Sequence, residues 1–324
     1  MIRLPEIQTL FRIPFPGTSG IAIRWYGVML LAGFLCGMIL ARRLAKRERV
    51  RPDTIYDLAL WALLAGLIGA RLWYVVEFAR VFYDEPVRSA ADLLRQVGRT
   101  LNFTDGGLVY YGGLVAPVIV LWWWFRRHKL PVLKMFDIIA PAAMLGLAFG
   151  RVGCLFNGCC FGKECSPQFP LAFERPREGA TWDYQVRYAH LDPKTDWSKP
   201  VYPVQLMSSV DAALLCLVLL WLYRKKKRDG DIVAALLLLY PPVRFVEELL
   251  RSHEEASWLG LISIAQLVSI GGVLLGVVLV VRRKKRPLAA AYAPSEAAPA
   301  PAPRAPAKGP PPPKNRPPRR KRRN

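Results

Sequence analysis

The residues best suited to chemistry lie in one run, Gly150-Arg151-Val152-Gly153-Cys154, which continues as Leu155-Phe156-Asn157-Gly158-Cys159-Cys160-Phe161-Gly162. A guanidinium among apolar residues is costly: on insertion scales, about 2.5 kcal/mol or more at the centre of a membrane helix. It persists where an anion or a path to water meets it. Other polar groups interrupt apolar stretches in the same way. They are Arg24 and Tyr26, Arg71 and Glu77, Tyr110-Tyr111-Gly112-Gly113, Gln205, Asp211, Gln266, and Tyr240, Arg244, Glu247, Glu248 and Arg251. Arginine offers a planar, permanently charged fork that matches phosphate oxygens, and glycines let backbone and ligand approach closely. At membrane depth the most available phosphate is a phospholipid headgroup. Simpler readings stand beside this one. Arg151 can snorkel to the headgroups, Arg244 and Glu248 at i, i+4 can pair only to hold a bundle, and Tyr26 can belong to an interfacial aromatic belt. The residues by themselves point to binding of an anionic phospholipid and leave open whether it is also transformed.

These groups are carried by apolar segments. Hydrophobic residues make up 53% of the 324 residues although the formal net charge is +22. Seven stretches reach the roughly 20 residues needed to cross a bilayer: Ile21–Ala41, Leu58–Phe78, Leu108–Phe125, Phe136–Phe156, Leu206–Tyr223, Ile232–Leu250 and Leu259–Val281. Basic clusters come after the first, third, fifth and seventh: Arg42 to Arg51, Arg126 to Lys129, Arg224 to Arg228 and Arg282 to Arg286. By the positive-inside rule these ends are cytoplasmic, so the N-terminus is outside and the C-terminus inside. The expected architecture is an all-α integral membrane protein of seven transmembrane helices (21–281) with a small extracytoplasmic head from loops 79–106 and 157–204. A short amphipathic helix is expected around Ser89–Val97. Residues 1–20 are expected to form an amphipathic interfacial segment. No cleavable signal peptide is expected, because the basic cluster lies after the first apolar run instead of before it. In residues 282–324, fourteen Lys and Arg face a single acid, Glu296, amid Ala and Pro. That composition predicts a disordered cytoplasmic tail drawn to anionic membrane lipids. Within a multi-spanning protein, nucleic acid is not an expected partner.

Several blocks taken in order resemble the prolipoprotein diacylglyceryl transferase family. They are Ile23-Arg24-Trp25-Tyr26-Gly27, Gly69-Ala70-Arg71-Leu72, Gly106-Gly107-Leu108-Val109-Tyr110-Tyr111-Gly112-Gly113, Gly150-Arg151-Val152-Gly153 through Gly162, Tyr202-Pro203-Val204-Gln205-Leu206, Tyr240 with Arg244 and Glu248, and Ala265-Gln266-Leu267-Val268-Ser269-Ile270. The resemblance runs from about residue 21 to 282. It implies an inner-membrane enzyme that moves an sn-1,2-diacylglyceryl group from phosphatidylglycerol to the lipobox cysteine of a prolipoprotein signal peptide, releasing glycerol phosphate. It implies Arg151 and Arg244 as the essential cations and Tyr26 and Tyr240 as headgroup-positioning residues. It further implies Asn157, Gly158 and Gly162 as pocket-shaping residues and Glu248 as the group that orients Arg244. Arg71, Gly112, Gly113 and Gln205 fall in matching blocks and are assigned to substrate binding. Tyr111 stands where many members carry histidine. With a phenol pKa of about 10 it does not replace imidazole as a base near neutrality, but it can hydrogen-bond phosphate or thiol. That substitution motivates the alternative of a non-catalytic phospholipid-binding scaffold or lipid carrier.

Cys154 and Cys159 also depart from the family pattern, at positions where Asn and an acid are usual. Outside the membrane, a bridge from Cys159 or Cys160 to Cys165 is one expectation, and inert packing is another. The C-x4-C-C-x4-C spacing lacks the usual zinc pattern, so no metal and no cofactor are expected.

Overall fold

The computed structural model describes residues 2–5, 8–13, 21–79, 92, 98, 100, 109–177, 179–251, 257–258 and 262–284. The segment around Ser89–Val97, most of loop 79–106, and the tail beyond 284 lie outside the described residues. By contacts the chain divides into Met1–Leu288 and Ala289–Asn324. All the described elements belong to the first unit.

Each expected stretch becomes a long helix: α1 (Trp25–Arg47), α2 (Pro52–Glu77), α3 (Tyr110–Arg127), α4 (Val132–Asn157), α6 (Val204–Arg224), α7 (Asp231–Leu249) and α8 (Ile264–Lys284). A shorter α5 (Ala180–Tyr188) lies in the loop after α4. Local chemistry sets the ends. Pro52 opens α2, where its missing N–H costs nothing. Gly158 closes α4 in the left-handed region at φ 73°, a conformation with no Cβ penalty only for glycine.

Among the described residues, five helices are long and apolar enough to cross a membrane on their own: α1, α2, α4, α6 and α8. The other two are more polar. α3 begins Tyr-Tyr-Gly-Gly and ends in two arginines, and α7 carries Asp231, Arg244, Glu247 and Glu248.

The all-α expectation gains short strands. β1 (Ile2–Arg3) pairs in parallel with β4 (Phe173–Glu174), β2 (Thr9–Ile13) pairs antiparallel with β3 (Ile21–Arg24), and β5 (Ser257–Trp258) pairs with β6 (Ile262–Ser263). The first apolar stretch therefore starts as a strand, and α1 begins only at Trp25. The β1–β4 pair ties the N-terminal residues to the loop after α4. There Phe161, Phe173 and Val201 bury against Leu4, Leu155 and Tyr184.

α4 is the central helix. It packs along α1 and α6 and also meets α7 and α3, while α2 packs on α3 and α8 on α7. Phe125, Met135, Ile138 and Leu219 are fully buried between these helices. The outward faces are as apolar as the core: Leu31 is 59% exposed, Val76 76%, Leu217 62% and Leu274 61%. Apolar surface on that scale marks contact with lipid, so the protein is a multi-pass membrane protein.

The end of the bundle carrying the basic loops is held by a buried ion network. Asp137 of α4 accepts hydrogen bonds from the N–H groups of Gly230, Ile232 and Val233, at 2.7, 3.0 and 2.9 Å. It thereby caps the N-terminus of α7, where unpaired N–H groups favour a carboxylate. Lys226 lies 3.1 Å from Asp137, 2.9 Å from Glu48 and 3.2 Å from Asp229. Burial opposes the charge of Glu48, but hydrogen bonds from Lys226 and Tyr223, with Lys134 nearby, outweigh it and hold the pKa below the ordinary 4.5. Burial likewise opposes the charge of Lys226, and Asp137 and Glu48 outweigh it, so its pKa is raised.

Candidate active site

The opposite end of the bundle collects the residues singled out by type. It is built from the C-terminal ends of α4 and α7, the N-terminal turns of α1, α3 and α6, and the turn after α4. Arg151 stands two turns before the end of α4. Its electrostatic neighbours are Cys160, Tyr240, Cys154 and Tyr110. Tyr26, at the start of α1, lies among Cys154, Cys159, Cys160 and Arg151. Tyr240 faces Tyr110, Arg151, Arg244 and Glu247. Four helices thus deliver one guanidinium and three phenols to one place.

The ion pairs at this end leave Arg151 out. Arg244 and Glu248 meet at 2.6 Å across one helical turn, and Arg251 reaches the same carboxylate at 3.5 Å. Glu247 feels both Arg151 and Arg244, yet among the described residues it forms an ion pair with neither. Arg151 is therefore a half-buried cation with no carboxylate partner among the described residues. An anion from outside the chain would complete it.

The head holds the end of α4 in place. Arg175, 4% exposed, donates to the carbonyls of Leu155 and Pro5, which satisfies the helix C-terminus with a cation. Thr181 Oγ1 donates to Gly158 O at 3.5 Å. Trp25 stacks on Phe156 with ring centres 5.4 Å apart. Gln205 is fully buried; its Nε2 donates to Cys159 O at 2.8 Å, and its Oε1 has no hydrogen-bond partner among the described residues. Gly162 bridges antiparallel to Arg251, linking the turn after α4 to the end of α7.

Of the residues expected from sequence, Arg151, Arg244, Tyr26, Tyr240, Glu248, Asn157, Gly158, Gly162 and Gln205 meet at this end. The carbonyl of Asn157 accepts from Gln8 Nε2 at 3.4 Å. Arg71 is buried on α2, donating to Thr100 O at 2.9 Å. Gly112 is occupied by a helix crossing: a Cβ there would stand 2.1 Å from Gly69 O and 2.6 Å from Trp73 Cβ. Gly113 likewise faces Ala70. Tyr111 packs edge-on to Tyr110 at 5.9 Å, and Tyr110 lies in the electrostatic neighbourhood of Arg151 and Tyr240. Arg251 joins the site through the Gly162 bridge; its spacing of seven from Arg244 already places it on the same face.

The expected bridge to Cys165 is absent: all six cysteines are free thiols. The Sγ atoms of Cys154, Cys159 and Cys160 instead gather within 4.8 Å of one another. The turn at Gly158 brings the last two back over the first. An apolar cavity of about 240 Å³ lies away from the arginines, between α1, α2, α3 and α4, lined by Gly33, Gly37, Leu58, Leu121 and Ala142 among others.

Comparison with known proteins gives the family. The family model described as prolipoprotein diacylglyceryl transferase matches residues 14–282. A phosphatidylglycerol--prolipoprotein diacylglyceryl transferase of Finegoldia magna is 30% identical over 268 residues, covering 82% of this chain and 94% of the relative. That of Synechococcus elongatus is 30% identical over 84% of this chain and 89% of its own length. The enzyme of the same name from Bacillus mycoides is 30% identical over 84% and 90%. With a helical membrane bundle, an arginine awaiting an anion and a family match over most of its length, this chain belongs to the prolipoprotein diacylglyceryl transferase family.

Proposed function

We propose that this chain transfers the sn-1,2-diacylglyceryl group of phosphatidylglycerol to the thiol of a prolipoprotein lipobox cysteine in the bacterial inner membrane. The observation that carries the reading is Arg151: a cation in an apolar bundle, among phenols, with no carboxylate partner among the described residues. In the reaction, the substrate thiolate attacks the glycerol carbon that bears the phosphate. The C–S bond forms, the C–O bond breaks, and its electron pair leaves with glycerol phosphate. Negative charge therefore shifts from sulfur to phosphate. Arg151, with Arg244 oriented by Glu248, stabilises that charge where water is sparse. The same positive field favours the thiolate of the incoming cysteine. Tyr26, Tyr240 and Tyr110 offer hydroxyls to the headgroup, and Gln205 offers an acceptor. Asn157, Gly158 and Gly162 shape the turn over the site. Acyl chains lie against the apolar helix faces. We assign Arg71, Gly112 and Gly113 to holding α2 and α3, which present the two tyrosines.

In the membrane, all seven long helices cross, with the N-terminus outside and the C-terminus inside. The support is the set of basic loops after α1, α3, α6 and α8. α3 and α7 cross because neighbours shield their polar groups, as in other bundles. Residues 21–281 then form the transferase domain, 157–204 the extracytoplasmic head with 79–106, and 282–324 a cytoplasmic tail. Purified protein incubated with phosphatidylglycerol and a lipobox peptide should raise the peptide mass by one diacylglyceryl group. Lipid binding without product would instead indicate a scaffold or carrier.

A further inference from the structure

The three-cysteine cluster takes no part in the transfer described above. Three sulfurs around one ion, each at about 2.3 Å, stand about 4 Å apart. The Sγ atoms of Cys154, Cys159 and Cys160 already lie within 4.8 Å of one another, so closing on an ion requires only small rotamer adjustments. The backbone is shaped for this. Gly158 turns the chain at φ 73°, and Cys160 itself adopts φ 60°, a left-handed conformation that costs a non-glycine residue on the order of 1–3 kcal/mol. Cys159 is fixed at both backbone groups: its N–H donates to Cys154 O at 3.2 Å, and its carbonyl accepts from Gln205.

The surroundings are also suited to thiolates. Arg251 and Arg151 both lie within electrostatic reach of Cys160. Three thiolates on a monovalent ion carry a net charge of −2, and on a divalent ion −1, so the field of the Arg251 guanidinium favours the loaded cluster without drawing on Arg151. The donor set selects the metal. Three sulfurs, with no imidazole or carboxylate among the described members of the group, suit a soft ion such as Cu(I) or Zn(II), not Mg(II) or Ca(II).

We infer that Cys154, Cys159 and Cys160 form a binding site for a thiophilic d10 metal ion at the end of α4. Such an ion clips the last turn of the Arg151 helix to the turn beyond it. The sequence spacing hides this site, because the sulfurs converge only after the helix ends.

The test uses full-length protein in detergent, reduced and freed of metal. Cd(II), a spectroscopic stand-in for Zn(II), is titrated while thiolate-to-metal charge transfer is monitored, and Cu(I) is titrated against a competing chelator. One ion per chain is expected. Cys154→Ser, Cys159→Ser and Cys160→Ser should each weaken binding by about tenfold or more, while Cys165→Ser and Cys216→Ser leave it unchanged. Reversible thiol blocking of the wild-type protein covers the case of a variant that fails to fold: binding should vanish on blocking and return on reduction. No saturable binding by the reduced protein would overturn the proposal. So would binding that survives replacement of all three cysteines, or that depends on Cys165.

Discussion

At the scale of single residues, the arginines at one end of the bundle divide the labour. Arg244 is engaged by Glu248 at 2.6 Å, and Arg251 shares that carboxylate. Arg151 has no such partner among the described residues, so we propose that the headgroup phosphate falls to it. Tyr240 lies within electrostatic reach of both Arg151 and Arg244, and on our proposal its hydroxyl donates to the same phosphate. A hydrogen bond to a charged group contributes about 1.5–3 kcal/mol. Tyr240→Phe should therefore raise KM for phosphatidylglycerol roughly tenfold to a hundredfold with kcat nearly intact, read from transfer kinetics at varied lipid fraction. Much of this site is legible in the sequence, because a guanidinium or phenol inside an apolar run has few structural uses. The closeness of α2 and α3 is less legible, since it depends on which faces the two helices turn to each other, and a one-residue step rotates a side chain by about 100°. The sulfur cluster is hidden for a similar reason: its members come together through the positive φ angles of Gly158 and Cys160.

At the scale of elements, α2 and α3 show how a residue in a functional block can serve packing. Their backbones approach so closely at Gly69 and Gly112 that a methyl on Gly112 would stand 2.1 Å from a carbonyl oxygen. Gly112→Ala must part the two helices, costing about 1–3 kcal/mol as overpacking does. A lowered thermal unfolding midpoint is expected, measured in detergent, with a partial loss of transfer as Tyr110 shifts. Sequence hydropathy locates all seven long helices to within six residues at each end, because each carries a long apolar run even where single polar residues interrupt it. It misses the strand before α1, whose four residues merge into the apolar run of the helix, and the β1–β4 pair, whose two-residue ladder leaves no periodic trace. It also leaves the role of Asp137 unspecified; the three N–H groups it caps belong to a helix some 93 residues further on.

At the scale of the whole molecule, the two ends of the bundle have opposite tasks. One end satisfies its charges internally through Glu48, Lys226 and Asp137, and the other keeps a cation for a ligand. Because the folded pKa of Glu48 lies below 4.5, its contribution is complete above that value and is lost as the pH falls through the folded pKa. Thermal unfolding midpoints of the wild type should drop in that acidic window. Glu48→Gln should lower the midpoint at neutral pH and flatten the acid dependence. The central claim is that the fork of Arg151 stabilises the departing phosphate. Its most direct test is the kcat/KM for diacylglyceryl transfer to a lipobox peptide by wild type, Arg151→Lys and Arg151→Ala, each shown to be folded by its unfolding transition. Loss of a preorganised donor to developing charge costs about 100- to 1,000-fold. A fall of at least that size is expected for Arg151→Ala, and a substantial one for Arg151→Lys, which keeps the charge but loses the fork. Near-wild-type transfer by folded Arg151→Ala would contradict the claim.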